Sequence, residues 1–572
     1  MLPGMLSRFG VLVAVFRSSV LRRLELAYLI FAFGEWSTWV AVIVYAYGRG
    51  GAAEAGIVVF VELAPSIVLA PAVAVLGDRF ARDRVLLGTY ASQAVLMAIT
   101  AAALGGGAHP VLIYVLATIT ATLVALSRPI HAALMPEVVT SPDDLTAANV
   151  VSGMAESAGS LIGPLGAGLL IGVGGPSAVF VAAAVGNVAG SVAVLGVARQ
   201  RAMARRREQA AVLARPAETA AATDGAPGRA RRWRATGAEL VGGLSAILAD
   251  DRLRAVVLIA TWATFLVGSM DILYAVLAIE LMGLGGGGVG FVGAVGGVGA
   301  ILGSVAGLLL VGRERLGVSL TASAVLFGAG IAAIALVTGS FAAAGLLILA
   351  GIGSGLTNVG AQTLIHRLAG DDVMSRVFGV LQGLMMGATA LGALAVPLAI
   401  TVVGNRATFA VAGLSLPIVL VLVGRAIVRG DRLDTGRAAE LRLLRGIPML
   451  APLSGPVLER LAAGISRTAR PAGSTVIREG ERGDRFYILE TGEVAVSVNG
   501  QVIRRLGPGE GFGEIALIRD VPRTATVTAL DDVVLLGIDR EPFVDALSGQ
   551  PRSRTIAGVL VDDRLAADVS RF

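Results

Sequence analysis

Apolar residues run in long stretches with short polar breaks from about residue 25 to 428, and then the pattern stops. Twelve stretches stand out, at about 25–47, 55–76, 85–104, 110–127, 147–172, 176–198, 253–281, 288–311, 317–337, 341–365, 376–403 and 407–428. Most approach or exceed the roughly 20 residues that a helix needs to cross a bilayer. The breaks are asymmetric. With the N-terminus inside, the outer breaks carry only Arg49 and Arg406. The inner ones carry Arg79, Arg82 and Arg84, then Arg128, then Arg313 and Arg315, then Arg367, and the stretch 199–254 alone holds twelve arginines. Arginine excess marks the cytoplasmic side, so both termini are expected in the cytoplasm of a plasma (inner) membrane protein. The short apolar run Phe9–Phe16 lacks a small-residue cleavage site, so the first span is expected to act as an uncleaved signal-anchor.

From about Leu441 the periodicity changes. Val494–Val498 alternates as a strand does and runs into Asn499-Gly500, a hairpin turn signal. Glycines at 480, 483, 492, 507, 509, 511 and 513 punctuate further short strands, and Ser553–Ser570 has the pattern of a closing helix. The expected fold class is a polytopic α-helical membrane protein, with twelve transmembrane helices in two six-helix bundles, followed by a soluble β-barrel or jelly roll with flanking helices. The corresponding divisions are 1–198 for the first bundle, 199–236 for a basic cytoplasmic linker, 237–430 for the second bundle, 431–440 for a short polar linker and 441–572 for the soluble domain.

Composition agrees. Of 572 residues, 55% are hydrophobic and 15% charged, and the mean hydropathy of +0.78 excludes a soluble globular enzyme and a disordered chain. The absence of cysteine excludes disulfides and thiolate chemistry. His109, His131 and His366 show no metal-ligand spacing, so no metal is expected. The net charge of +6 comes from arginine alone and is expected to face anionic membrane lipids rather than nucleic acid. No phosphate-binding Gly-Lys-Ser/Thr loop or Ser/His/Asp grouping marks an enzyme.

The two halves echo each other. Asp143-Asp144 enters the fifth span and Asp371-Asp372 the eleventh, while Gly34-Glu35-Trp36 in span 1 is matched in position by Gly268-Ser269-Met270-Asp271 in span 7. Such symmetry points to two bundles with a site between them at mid-membrane. Carboxylates inside spans are costly, about 2.5–3.5 kcal/mol at a helix centre, and normally face a cavity or a partner. Glu35 and Asp271 are therefore candidate proton or cation sites lining a central cavity, with Glu156 and Glu62 as weaker candidates. Trp36, Trp39 and Tyr274 are candidates for stacking on a small-molecule substrate. Gly288-Val-Gly290-Phe-Val-Gly293 has dinucleotide-motif spacing but sits inside a span with no preceding strand, and reads as a helix-packing face.

The break Ala74-Val-Leu-Gly-Asp78-Arg79-Phe-Ala-Arg82-Asp-Arg84 resembles the signature loop of the major facilitator superfamily. Asp78, Arg79 and Arg82 match; Ala74 and Ala81 replace glycines and Asp83 a basic residue. The resemblance implies a conformational-switch role for Asp78, Arg79 and Arg82. Gly159-Ser-Leu-Ile-Gly163-Pro164-Leu-Gly-Ala-Gly168 resembles the antiporter signature of that superfamily, with departures at Val150 and Ala167. The stretch Arg128–Glu137 looks like its siderophore and macrolide exporter branch.

Gly511-Phe-Gly513-Glu514-Ile-Ala-Leu-Ile-Arg-Asp-Val-Pro522-Arg523-Thr524 closely resembles the phosphate-binding cassette of cyclic nucleotide-binding domains. The residues suit the task, because arginine presents a planar fork of donors to phosphate oxygens and a glycine lets backbone N–H groups approach. By resemblance, the ligand site comprises Gly513, Glu514, Ile515, Ala516, Arg523 and Thr524, with Glu514 on the ribose hydroxyl. The ligand implied is cyclic AMP, with cyclic GMP open because a threonine after the arginine can contact guanine. The helix 553–570 is a candidate cover for the base. The whole then reads as a secondary transporter, an exporter or antiporter with possible proton coupling, modulated by a cyclic nucleotide. A lipid or lysophospholipid flippase, a non-transporting membrane-anchored sensor, and a carrier of the nucleotide itself remain as alternatives.

Overall fold

The structure, a computed structural model, describes residues 18–79, 81–139, 142–213, 241–307, 316–369, 373–453, 455–548 and 551–569. It divides into two compact units, Met1–Val428 and Arg429–Phe572. The first contains α1 (Ser19–Arg79), α2 (Arg82–Gly105), α3 (Pro110–Val138), α4 (Pro142–Leu213), α5 (241–249), α6 (Asp251–Ala275, ending in a π-helical turn Val276–Leu281), α7 (Gly285–Ala306), α8 (Leu316–Ile334), α9 (Ser340–Leu368) and most of α10 (Met374–Gly446). Among the described residues nine helices are long and apolar enough to cross a membrane.

Three of these are hairpins rather than rods. Gly51, Gly175 and Gly404 take φ of 62°, 69° and 79° with ψ near ±150–180°, a region open essentially to glycine alone. Each break falls in an interval that the apolar pattern leaves between spans. Elsewhere the helices outrun the hydropathy. α3 continues past residue 127 to Val138, so Arg128 lies within a helix and not in an inner loop. α4 runs on to Leu213, so the first part of the 199–236 linker is helical, and the backbone at 431–440 is helical within α10. Arg, Ala, Leu and Glu, which fill both segments, are good helix formers whatever their polarity.

The repeat between the halves is visible in packing, in a different register from the one the sequence suggests. Ser37 shares its hydroxyl proton between Phe33 O at 2.7 Å, one turn back, and Gly163 O on α4 at 2.9 Å. Ser269 does the same with Phe265 O at 2.9 Å and Gly392 O on α10 at 3.2 Å. A Cβ on Gly392 would lie 2.0 Å from Phe265 O, and one on Gly163 3.1 Å from Phe33 O. Phe33, Ser37 and Gly163 thus correspond to Phe265, Ser269 and Gly392. Glu35 and Asp271 are not equivalent; the counterpart of Asp271 is Trp39. Gly290 meets α4 at the backbone, its Cβ position 2.0 Å from Pro164 O, so the Gly288–Gly293 motif serves close helix approach.

The second unit adds α11 (Gly455–Ala463), eight strands and three further helices: β1 (Ser466–Arg470), β2 (Thr475–Ile477), β3 (Arg485–Thr491), β4 (Val494–Val498), β5 (Gln501–Leu506), β6 (Gly511–Phe512), α12 (Glu514–Ile518), β7 (Thr526–Ala529), β8 (Val533–Asp539), α13 (Arg540–Ser548) and α14 (Pro551–Val569). The strands form two four-stranded antiparallel sheets, ordered β1-β8-β3-β6 and β2-β7-β4-β5. Strand alternation sorts the core. Leu489, Val533 and Leu535 point between the sheets, whereas Phe486, Ile488, Leu536 and Ile538 pack outward onto Phe543 and Leu547 of α13. Asn499 and Gly500, with φ of 49° and 82°, close the β4–β5 hairpin.

Candidate functional site

In the second unit, Gly513, Glu514, Ile515, Ala516, Arg523 and Thr524 all line one pocket, walled by Ile477, Val496, Leu506, Phe512 and Val527. The loop geometry explains the convergence. Arg523 N donates to Glu481 O at 2.7 Å, and Arg523 O accepts from Gly480 N at 2.8 Å, which pins this backbone to the β2–β3 loop. The Arg523 side chain is 4% exposed. It donates to Gly513 O and Arg485 O, each at 2.8 Å, and to the exposed Asp484 carboxylate at 3.4 Å. Burial pushes its pKa down, and the neighbouring Asp484 partly offsets that. Gly513 takes φ of 89°, and a Cβ there would lie 2.6 Å from Arg523 Nη1. Glu514, the first residue of α12, is 1% exposed.

Sequence reasoning missed Arg504. It stands opposite Val496, which in turn stands opposite Val527, so the three share the pocket-facing side. Nothing in Arg504-Arg505 distinguishes one from the other until the register is known. Among the described residues, none of α14 lines the pocket. Its Asp562 pairs with Arg519 beside α12.

In the first unit, a cavity of about 580 Å³ is lined by Trp36, Trp39, Ser157, Ser160, Asp271 and Tyr274, among others, from both halves. The Trp39 indole lies beside the Asp271 carboxylate, and both line the cavity. Gly296 makes room for Tyr274, whose hydroxyl lies 2.5 Å from the Cβ position. Glu35 is not among the lining residues; its carboxylate turns to Arg128 at 2.8 Å. Arg128 also holds Glu156 at 2.6 Å, and Glu156 accepts from Tyr28 at 2.9 Å and Trp36 at 3.3 Å. The cluster draws one guanidinium to two carboxylates, which explains how a helix carries Arg128. Glu62 is buried in the second leg of α1, apart from both groups. Arg82 donates to Ala133 O at 2.7 Å and pairs with Glu137 at 2.9 Å. The side chains of Asp78, Arg79, Asp143, Asp144, Asp371 and Asp372 lie outside the described residues.

Residues 24–393 match the Major Facilitator Superfamily model. The chain belongs to that superfamily. In this facilitator chain, residues 468–550 additionally match the cyclic nucleotide-binding domain model. The fold class is therefore a facilitator membrane unit with a C-terminal β domain of the cyclic nucleotide-binding class. An uncharacterized protein of Mycobacterium tuberculosis is 38% identical over 133 residues, 23% of this chain and 26% of that protein. The cAMP-dependent protein kinase regulatory subunit of Debaryomyces hansenii is 36% identical over 115 residues, 19% of this chain and 25% of its own length. The chain thus spans about a quarter of the length of the curated relatives it matches. A structure of the regulatory domain of Toxoplasma gondii PKA with cAMP is 30% identical, covering 20% of this chain and 44% of that one, with a TM-score of 0.19.

Proposed function

We propose that this facilitator is a secondary transporter whose alternating access is modulated by a cyclic purine nucleotide bound in the C-terminal pocket. The observation that carries the reading is the convergence of all six cassette residues on one pocket around a buried arginine. Three N–H groups of Arg523 are engaged by the chain, which leaves the Nε–H and one Nη1–H for a phosphate. Cyclic AMP is the ligand implied by the cassette, with cyclic GMP as the competitor.

For transport, the support is the cavity between the halves. Its volume falls within the roughly 300–1,000 Å³ of small-molecule sites, and among the described lining residues it presents one carboxylate, Asp271, beside aromatic and small side chains. That chemistry suits an amphipathic cationic solute. The Arg128–Glu137 resemblance favours the exporter branch, and arginine placement favours a plasma-membrane location with cytoplasmic termini. Proton coupling would use Asp271 together with the Glu35–Arg128–Glu156 cluster.

A nucleotide shifts the inward–outward equilibrium only by its differential affinity for the two states, typically about 1–3 kcal/mol, so transport is expected to change about 5- to 150-fold at most. The test is calorimetry of the purified full-length protein with cyclic AMP and cyclic GMP, followed by proteoliposome transport of candidate drugs, siderophores and lipids with and without the bound nucleotide. Absence of binding to either nucleotide overturns the regulatory reading. Binding without any effect on transport overturns the coupling.

A further inference from the structure

Below the Arg128 cluster lies a second polar group that the transport reading does not use. Ser152 Oγ is 2.9 and 3.0 Å from the two carboxylate oxygens of Glu25. His131 Nε2 lies 3.4 Å from the same hydroxyl and 3.9 Å from Glu25 Oε1. Glu25 and His131 are 2% and 3% exposed. The His131 Nδ1 atom is buried without a hydrogen-bond partner.

Helix spacing stacks this group under the first. Glu25 and Tyr28 are one turn apart on α1, Arg128 and His131 on α3, and Ser152 and Glu156 on α4. Three helices thus contribute a lower layer of Glu25, His131 and Ser152 and an upper layer of Arg128 and Glu156 with Glu35. Tyr28 joins the layers: its ring stacks on His131 at 4.1 Å, and its hydroxyl donates to Glu156. From α2, Tyr90 also faces Glu25, with its hydroxyl buried and unpartnered. Among the described residues, these are the titratable and charged groups found around the pair on α1, α2, α3 and α4.

Charge balance sets what the lower layer can hold. Glu25 accepts from a neutral hydroxyl, which has one proton to give. A buried carboxylate so poorly compensated is costly, as is a buried imidazolium without a counter-charge. One added proton relieves both, resting on Glu25 or on His131 with Nε2–H turned to Ser152 and Glu25. A second would leave a net positive charge without a partner.

We propose that Glu25, Ser152 and His131 form a proton-binding site of the N-terminal half, one helical turn from Arg128, and that it takes up a single proton shared between the carboxyl and imidazole groups. This deepens the proton-coupled reading and rests on it only for its consequence in transport.

The test counts protons on the purified full-length protein, without substrate, by indicator-dye titration between pH 9 and 5. Glu25→Gln is expected to take up about one proton fewer than the parent, because His131 alone would be a buried cation without a counter-charge, whereas His131→Gln leaves the buried carboxyl to hold the proton and is expected to keep the count but fill only at lower pH than the parent. The double variant is expected to lose one also, rather than two, because the proton is shared. Ser152→Ala keeps both titratable groups and retains the full count. Unchanged uptake in Glu25→Gln overturns the site, and either a His131→Gln titration identical to the parent or a loss of two in the double variant overturns the sharing. Should the Glu25 or His131 variants fail to elute as a single folded species, a Ser152→Ala titration identical at every pH to the parent overturns the proposal. A proton count that holds in a protein that transports none of the screened solutes leaves this site standing and removes the transporter reading alone.

Discussion

Arg523, with a side chain 4% exposed, and Arg128, 38% exposed, rest on different acceptors. Arg523 rests on two backbone carbonyls, Gly513 O and Arg485 O, and its carboxylate neighbour Asp484 is 3.4 Å away and 75% exposed. The pocket therefore keeps an excess of positive charge and suits an anion. Arg128 sits between Glu35 and Glu156 at 2.8 and 2.6 Å, both carboxylates within hydrogen-bond reach of one fork. With both ionised, that cluster carries a net negative charge, so it suits a proton or another cation. The same side chain thus serves opposite chemistries, according to whether its acceptors are dipoles or charges.

The comparison breaks most sharply at Arg523. Arg523→Ala removes the cation that the cassette is built around, and breaking one side of a buried charge contact costs about 3–5 kcal/mol. Nucleotide affinity is expected to fall at least about a hundredfold, read by calorimetry on the full-length protein. Wild-type-like binding would detach this pocket from the ligand.

At Arg128 the cost appears in stability. Arg128→Gln leaves Glu35 and Glu156 facing each other without a cation. Because the arginine side chain is 38% exposed, the penalty is expected near about 1–3 kcal/mol rather than the full buried value. A lower melting temperature in detergent is the readout. Glu156→Gln in the same chain should restore much of the loss, since one charge of the clash is gone. A double variant no better than the single would show that the two carboxylates do not share the arginine.

Gly513→Ala tests how tightly the anion site is shaped. The new Cβ combines a left-handed backbone with a 2.6 Å approach to Arg523 Nη1, so the guanidinium must move. Strain of this kind costs on the order of 1–3 kcal/mol, and affinity should drop about tenfold while the domain still folds. Equal affinity for the variant and the parent would show that Arg523 reaches the ligand by another route.

Much of this was legible in the sequence because it is local. The apolar stretches, the Asn499-Gly500 turn and the contiguous cassette from Gly511 to Thr524 need no knowledge of distant partners. What stayed hidden depended on partners. Hydropathy ends a span at Arg128, since a lone charge counts against a helix, but two carboxylates from α1 and α4 compensate it. Glu35 looked like a cavity residue for the same reason: its depth was readable and its direction was not. The sequence aligns the halves on Gly34 and Gly268, which are alike in kind, whereas the equivalence lies in the hydroxyl–carbonyl pairs of Ser37 and Ser269. Polarity marks 199–213 and 431–440 as linker although their backbone is helical, because polarity sets solvent preference and not helix propensity.

The smallest effect concerns the choice between purines. Arg504 lines the pocket from β5, on the same side as Val496 and Val527, and Thr524 lines it from the loop before β7. A guanidinium is complementary to the two acceptors, O6 and N7, on the Hoogsteen edge of guanine; adenine offers one acceptor and a donor there. A good bidentate contact discriminates by about 1–3 kcal/mol, and an exposed strand residue falls at the low end. Arg504→Gln is therefore expected to weaken cyclic GMP about fivefold and cyclic AMP less than about twofold, measured as paired titrations of one preparation. Equal weakening of both would assign Arg504 to the general positive field of the pocket, where it would add to the contrast with the Arg128 cluster instead of reading the base.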